Sequence, residues 1–263
     1  KKYTILYMVI SLLTGIIFLS IGIKFGTFSF TPPLFIKIKE NKLRNKHRVS
    51  AKMPDYGTRK INGKKVKHVV SLGTHCLASN ILKSSGLKNY SLPFDWVFST
   101  PEFVIDNINR NFELFLPNNY TDYKDYAKSN FNLDNVFVHK NPETPEYFAY
   151  YTRCISRFND LLNCKDGKIF FLISRSDNHL SSHFTNLVEI LSKKTKNFEL
   201  IAVDLEKTCP SKSEIKLKQV NEINGSRLFK FTPNSDESKL GYFPDVVDDI
   251  LLLRLIYNYH LDL

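Results

Sequence analysis

The chain has 263 residues, with 37 Lys+Arg against 26 Asp+Glu, a net charge of +11 and 43% hydrophobic residues. That length holds one or two domains with a sizeable core, and that hydrophobic fraction excludes a chain disordered throughout. Four cysteines without a C-x-x-C pair exclude a disulfide-dense scaffold and a zinc finger.

The excess charge sits at one end. Residues 1–68 carry 15 Lys+Arg against Glu40 and Asp55, which leaves 22 bases and 24 acids for the rest. A positive charge spread over a folded surface points to nucleic acid, but a nearly neutral remainder does not, so no nucleic-acid partner is expected.

Residues 3–23 (YTILYMVISLLTGIIFLSIGI) contain no charge. About 20 apolar residues cross the hydrocarbon layer, so residues 1–24 read as a single-pass transmembrane anchor. The alternative is a cleaved signal peptide, whose apolar core usually runs only about 7–15 residues. Lys1 and Lys2 precede the span, whereas Lys24, Lys37, Lys39, Lys42, Arg44, Lys46 and Arg48 follow it. The positive-inside rule then places the C-terminal domain in the cytosol, with residues 37–67 along the anionic inner leaflet. Asn119 and Asn224 lie in glycosylation sequons of the kind that an Asn-rich chain produces by chance.

Residues 25–66, with Pro32-Pro33 and a run of bases, read as a basic linker, and 67–263 as the folded domain. A first strand is predicted at 66–72, ended by Gly73, and a helix at 76–85 with Gly86 as its stop. Pro101 and the capping Thr100 open a second helix over 101–116. A short strand is expected at 136–139. Phe148, Tyr151, Ile155, Phe158 and Leu162 recur at helical steps within 144–163. The runs KIFFLIS (168–174) and FELIAVD (198–204) read as strands buried on both faces, joined by a helix over 180–194. A last strand at 227–232 and a helix at 244–259 complete the chain. Strands alternating with helices imply an α/β fold, a mainly parallel central sheet with helices on both faces in a Rossmann-like three-layer sandwich. Such sheets place sites at the C-terminal ends of their strands, here 71–76, 139–142, 174–179 and 204–208.

The sharpest chemical feature is Val69-Val70-Ser71-Leu72-Gly73-Thr74-His75-Cys76. A thiol in a helix's first turn feels the positive end of the dipole, which favours thiolate, and the N–H groups around Gly73 and Leu77 are candidates to hold an oxyanion. The plain alternative is a small buried residue packing the turn. His75 is adjacent but points elsewhere at a helix start, and His139 closes a predicted strand. His179 and His183 resemble a metal pair only loosely, and no metal is expected. Asp95, beside Trp96, is placed to orient an imidazole or to cap a turn. Arg175 ends a strand, where it can bind an anion or pair with an acid.

These residues also carry a resemblance. Ser71-Leu72-Gly73-x-x-Cys76, Pro93-Phe94-Asp95-Trp96, Phe137-x-His139, Tyr151-x-Arg153-x-x-x-Arg157-Phe158 and Ile169-Phe170-Phe171 resemble a family labelled putative papain-like cysteine peptidases, over about 67–175. The resemblance implies Cys76 as nucleophile and His139 as base, with Asp95 inside the Pro-Phe-Asp-Trp element. Lys140 stands after His139 where the family carries Asp, and Cys154 replaces one Arg of its long helix. The leading expectation is a membrane-anchored cysteine hydrolase or acyl-transfer enzyme acting on a peptide, ester or thioester without a cofactor. The alternatives are a transferase or sugar-nucleotide-binding domain, against which the absence of a Gly-rich phosphate fingerprint counts, and a non-catalytic membrane-associated interaction domain.

Overall fold

The computed structural model describes residues 57–116, 120–208, 216–237 and 241–263. The expected anchor at 1–24 and the linker as far as residue 56 lie outside these. Among the described residues no helix is long and apolar enough to cross a membrane.

The first half of the domain runs β1 (Val66–Ser71), α1 (Cys76–Ser84), α2 (Pro101–Asn109), α3 (Tyr120–Phe131) and α4 (Pro145–Asn163). The second half runs β2 (Gly167–Arg175), α5 (Leu180–Lys194), β3 (Phe198–Leu205), β4 (Lys216–Ile223), β5 (Ser226–Thr232) and α6 (Val246–Tyr257). The strands form one sheet in the order β1-β2-β3-β5-β4. All neighbours are parallel except the β4–β5 hairpin. This is the mixed α/β, mostly parallel sheet that the alternation of elements predicts.

The central strands read as unbroken apolar runs because both of their faces are covered. Ile169, Phe171 and Ile173 of β2 pack with Leu77 and Ile81 of α1 and Leu252 and Ile256 of α6. Phe170 and Leu172, pointing the other way, pack with Phe103 of α2, Phe158 of α4 and Leu187 of α5. The helix starts follow their caps. The Thr100 and Thr144 side chains accept from the N–H of Phe103 and Tyr147, each with Pro at the first helical position.

Four expectations need correction. The linker does not reach residue 66. From Gly57 the chain lies on the domain, where the N–H of Gly57 donates to Tyr257 O at 3.1 Å and Ile61 is buried in the core. The second helix stops at Asn109, because Asn111 and Phe112 turn left-handed (φ +52° and +64°) and drop Phe112 and Phe115 into an aromatic cluster with Phe94 and Phe158. No strand forms at 136–139. Val136 accepts one backbone hydrogen bond from Phe98 N at 2.9 Å, and the segment otherwise winds irregularly. The last helix starts two residues late, with Asp245 rather than Pro244 setting its start by accepting from Val247 N.

Candidate active site

The chain leaves β1 beside β2, with Leu72 N donating to Phe171 O at 2.9 Å and Thr74 N to Ile173 O at 3.1 Å. Gly73 between them has φ +78°, and a Cβ there would meet Ser99 Oγ at 3.1 Å and Phe94 O at 3.2 Å. Only glycine passes this point without strain. His75 is extended, and Cys76 is the first residue of α1. The strand-to-helix turn predicted from the sequence therefore forms, with a cysteine at its head.

The electrostatics of that thiol differ from expectation. Burial pushes the Cys76 thiol up and the nearby Glu237 carboxylate adds to this, while its own N–H and Arg175 oppose it. Desolvation outweighs the helix end here, so Cys76 is held as the neutral thiol. The sulfur is closed in by Gly241, whose carbonyl accepts from Asn80 Nδ2 at 2.8 Å one turn farther along α1.

Beside Cys76 lies a buried ionic cluster. His75 is 3% exposed, and its Nε2 lies 3.2 Å from Glu237 Oε2. Its Nδ1 lies 3.5 Å from Thr74 Oγ1. Arg175, at the end of β2, donates from Nε to Glu237 Oε1 at 2.9 Å and from Nη2 to Oε2 at 3.3 Å. Burial alone would lift the Glu237 carboxyl, but the hydrogen bonds from His75 and Arg175 outweigh it and bring it down to about 2. Sequence reasoning did not single out Glu237, one of two adjacent acids in a polar loop after β5. Only the fold shows that it joins His75 to Arg175.

A cavity of about 590 Å³ opens over the C-terminal ends of β1 and β2, bounded in part by Thr74, His75, Ser99, Arg175, Asp177 and His179. A second, of about 230 Å³, shares Arg175 and includes Glu237. Both lie at the strand ends where parallel sheets carry their sites. His179 is exposed there in a left-handed conformation (φ +50°). His183 instead bonds Glu102 Oε1 at 2.7 Å, so the two histidines do not act as a pair.

The other candidates go elsewhere. Asp95 is 1% exposed and ion-paired with Lys88, and its Oδ2 also accepts from Leu92 N at 2.6 Å. Burial pushes its carboxyl up and Lys88 opposes this. His139 is exposed, with its ring edge-on to Trp96 at 6.5 Å. Lys83, in the last turn of α1, lies over the same indole at 5.8 Å. Cys76 opens that helix seven residues earlier, about 10 Å along its axis. No hydrogen bond joins His139 to Cys76 or to Asp95 among the described residues. Of the backbone donors, Gly73 N is already given to Ser71 Oγ at 3.3 Å, and Leu77 is fully buried in the first turn of α1.

A family model described as "Putative papain-like cysteine peptidase (DUF1796)" matches residues 67–206. No curated protein and no solved structure matches the chain. Glu237 and Gly241, which wall the thiol, fall beyond the matched region. That region covers more than half of the chain, from β1 through the end of β3, and the protein belongs to the family so described.

Proposed function

We propose that the domain is a cysteine-dependent hydrolase or acyl-transfer enzyme with Cys76 as its nucleophile, acting on a peptide, an ester or a thioester. One observation carries the reading. Cys76 heads α1 at the C-terminal edge of the sheet, next to the buried His75–Glu237–Arg175 cluster, in a chain of this family. The thiol is protonated at rest, so its proton must leave as it attacks. His75, held by Glu237, takes that proton, and Arg175 keeps Glu237 ionised. The Sγ–carbon bond forms and the carbonyl pair moves to oxygen, facing the first-turn N–H groups of α1, which have no intrahelical partners. Collapse breaks the bond to the leaving group, which receives the proton from the imidazolium. Water then attacks the thioester as His75 takes its proton, the Sγ–carbon bond breaks to release the acid, and the imidazolium returns the proton to the sulfur.

His139 and Asp95, implied by the family resemblance, form the competing base system, and the same experiment separates the two. Wild type is labelled with iodoacetamide and mapped by mass spectrometry, and turnover is followed on fluorogenic ester and peptide substrates. Cys76→Ala must abolish turnover. His75→Ala must lower it at least a hundredfold while His139→Ala changes it little. Turnover that survives Cys76→Ala ends the reading.

We read the uncharged stretch 3–23 as a membrane anchor that leaves the domain in the cytosol, with the basic stretch 37–56 facing an anionic leaflet. The length of the stretch and the bases that follow it support this. Release of the intact chain from membranes by alkaline carbonate would refute it. One observation favours a second reading as a transferase that binds an anionic donor: the larger cavity is lined by Thr74, Arg175 and His179, and the Cys76 side chain is not part of its wall. That reading requires full function in Cys76→Ser and a melting temperature that rises with nucleotide.

A further inference from the structure

At the other end of β1, remote from Cys76, three side chains with different donor atoms converge. His68 lies near the start of β1, and Cys164 and Asp166 lie in the turn between α4 and β2. The register of the two parallel strands, Val66 opposite Gly167 and His68 opposite Lys168, brings that turn alongside His68. One ligand atom from each of the three lies within 4.8 Å of the other two, and all three residues are half-buried.

The contacts around them orient the donors. His68 Nε2 is 3.9 Å from Asp166 Oδ2, too far for a hydrogen bond. The ligand atoms of a tetrahedral zinc ion lie about 3.3–3.8 Å apart, so the triad needs to close by at most about 1–1.5 Å. The other carboxylate oxygen is taken by Lys67 Nζ at 3.4 Å, leaving Oδ2 for the gap. The other ring nitrogen of His68 is held by Tyr90 Oη at 2.7 Å. In the tautomer that donates from Nδ1 to Tyr90, the Nε2 lone pair faces Asp166. Metal-bound histidines are oriented by such a second partner. The Cys164 carbonyl is pinned by Lys168 Nζ at 2.9 Å, which fixes the turn carrying the thiol.

We propose that His68, Cys164 and Asp166 form a binding site for a divalent transition metal, with Zn²⁺ as the best match to one nitrogen, one sulfur and one oxygen donor. The three side chains leave a fourth position for water. On binding, the Cys164 thiol gives its proton to solvent and its sulfur forms the metal bond, with no change of oxidation state. The ion ties the start of β1 to the turn before β2 and stabilises the sheet edge away from the Cys76 site.

The test uses the full chain, reduced and freed of metal. Co²⁺ is titrated in, with the thiolate-to-cobalt charge-transfer absorption as the readout, and Zn²⁺ is then added to displace it. One equivalent of Co²⁺ should produce the band, and Zn²⁺ should abolish it and raise the melting temperature. Cys164→Ser should remove the band. His68→Gln and Asp166→Asn, each checked for native circular dichroism, should weaken binding about tenfold or more, and Tyr90→Phe should weaken it about tenfold. Cys76→Ala should bind as wild type does. The absence of a band in folded wild type overturns the proposal, as does a band that survives Cys164→Ser or disappears in Cys76→Ala. Turnover is not read in any arm, so this outcome is independent of the proposed catalysis.

Discussion

Gly241 lies against the Cys76 sulfur from 165 positions farther along the chain, so closely that a Cβ on Gly241 would sit 2.5 Å from Sγ. Its φ of +66° is also one that other residues rarely adopt. The covering segment therefore needs a glycine for two reasons, and it approaches the half-buried thiol closely on one side. Gly241→Ala should destabilise the domain by about 1–3 kcal/mol, as overpacking does, and should speed alkylation of the half-buried sulfur. Much of that cost should vanish in the Cys76→Ala background, where the clash is gone and only the backbone strain remains. Urea unfolding of the four proteins in this cycle gives the coupling, and strictly additive costs would show that the sulfur is not what Gly241 makes room for.

Asp95 and Lys88 form a pair that is almost wholly out of solvent, and Lys88 Nζ also donates to Ser79 Oγ at 2.8 Å. Removing the carboxylate leaves an ammonium ion buried without its counter-charge. Asp95→Ala should therefore cost about 3–5 kcal/mol in unfolding free energy, and a paired Asp95→Leu, Lys88→Met replacement should recover most of it. An aspartate that served only to orient His139 would do the opposite, lowering turnover while leaving stability within about 0.5 kcal/mol of wild type.

The particulars show which parts of this molecule the sequence reveals. The strands Gly167–Arg175 and Phe198–Leu205 were legible because burial on both faces leaves an unbroken apolar run. α3 was not, since YTDYKDYAKSNF has little apolar periodicity and packs through Tyr123 and Ala127. β4 was missed as a polar edge strand, KLKQVNEI, although the following Asn224-Gly225, with φ +51° and +83°, is a strong hairpin signal. The same dipeptide also opens a glycosylation sequon with Ser226, which masks its turn signal. At the candidate site, the local turn from Gly73 to Cys76 could be read from adjacent residues. The partners of His75 could not, because Glu237 lies 162 positions away in a loop without periodicity.

Glu237 gives the domain an acid-sensitive contribution. Its folded value of about 2 lies below the ordinary 4.5, so the unfolded chain binds the proton more readily. The stabilisation is complete above about pH 4.5 and is lost as pH falls towards 2. Glu237→Gln should be less stable than wild type at pH 7, and the two should converge as the pH approaches 2. A difference in melting temperature that stays constant from pH 7 to pH 3 would show that His75 and Arg175 do not hold the carboxylate in its charged form.

Asp249 acts in the reverse sense. Burial, and then the neighbouring Asp248 charge, push it up from 3.8 to about 6. The Asp248 carboxyl is fully hydrogen-bonded, accepting from Asn234 N at 2.8 Å and from Ser235 N and Oγ at 2.9 and 2.7 Å. Asp249 Oδ1 is buried with no partner among the described residues. Because the folded state binds this proton more tightly than the unfolded chain, ionised Asp249 works against folding. The penalty is complete above about pH 6 and disappears as pH falls towards 4. Asp249→Asn should therefore melt at a higher temperature than wild type at pH 7, and the gain should shrink to nothing near pH 4. Lost helix-start stabilisation by the carboxylate at the N-terminus of α6 offsets part of the gain but cannot reverse its pH dependence, since that term also fades on protonation. Melting curves at pH 7, 5.5 and 4 decide it, and a variant no more stable than wild type at pH 7 would mean that solvent reaches the carboxylate.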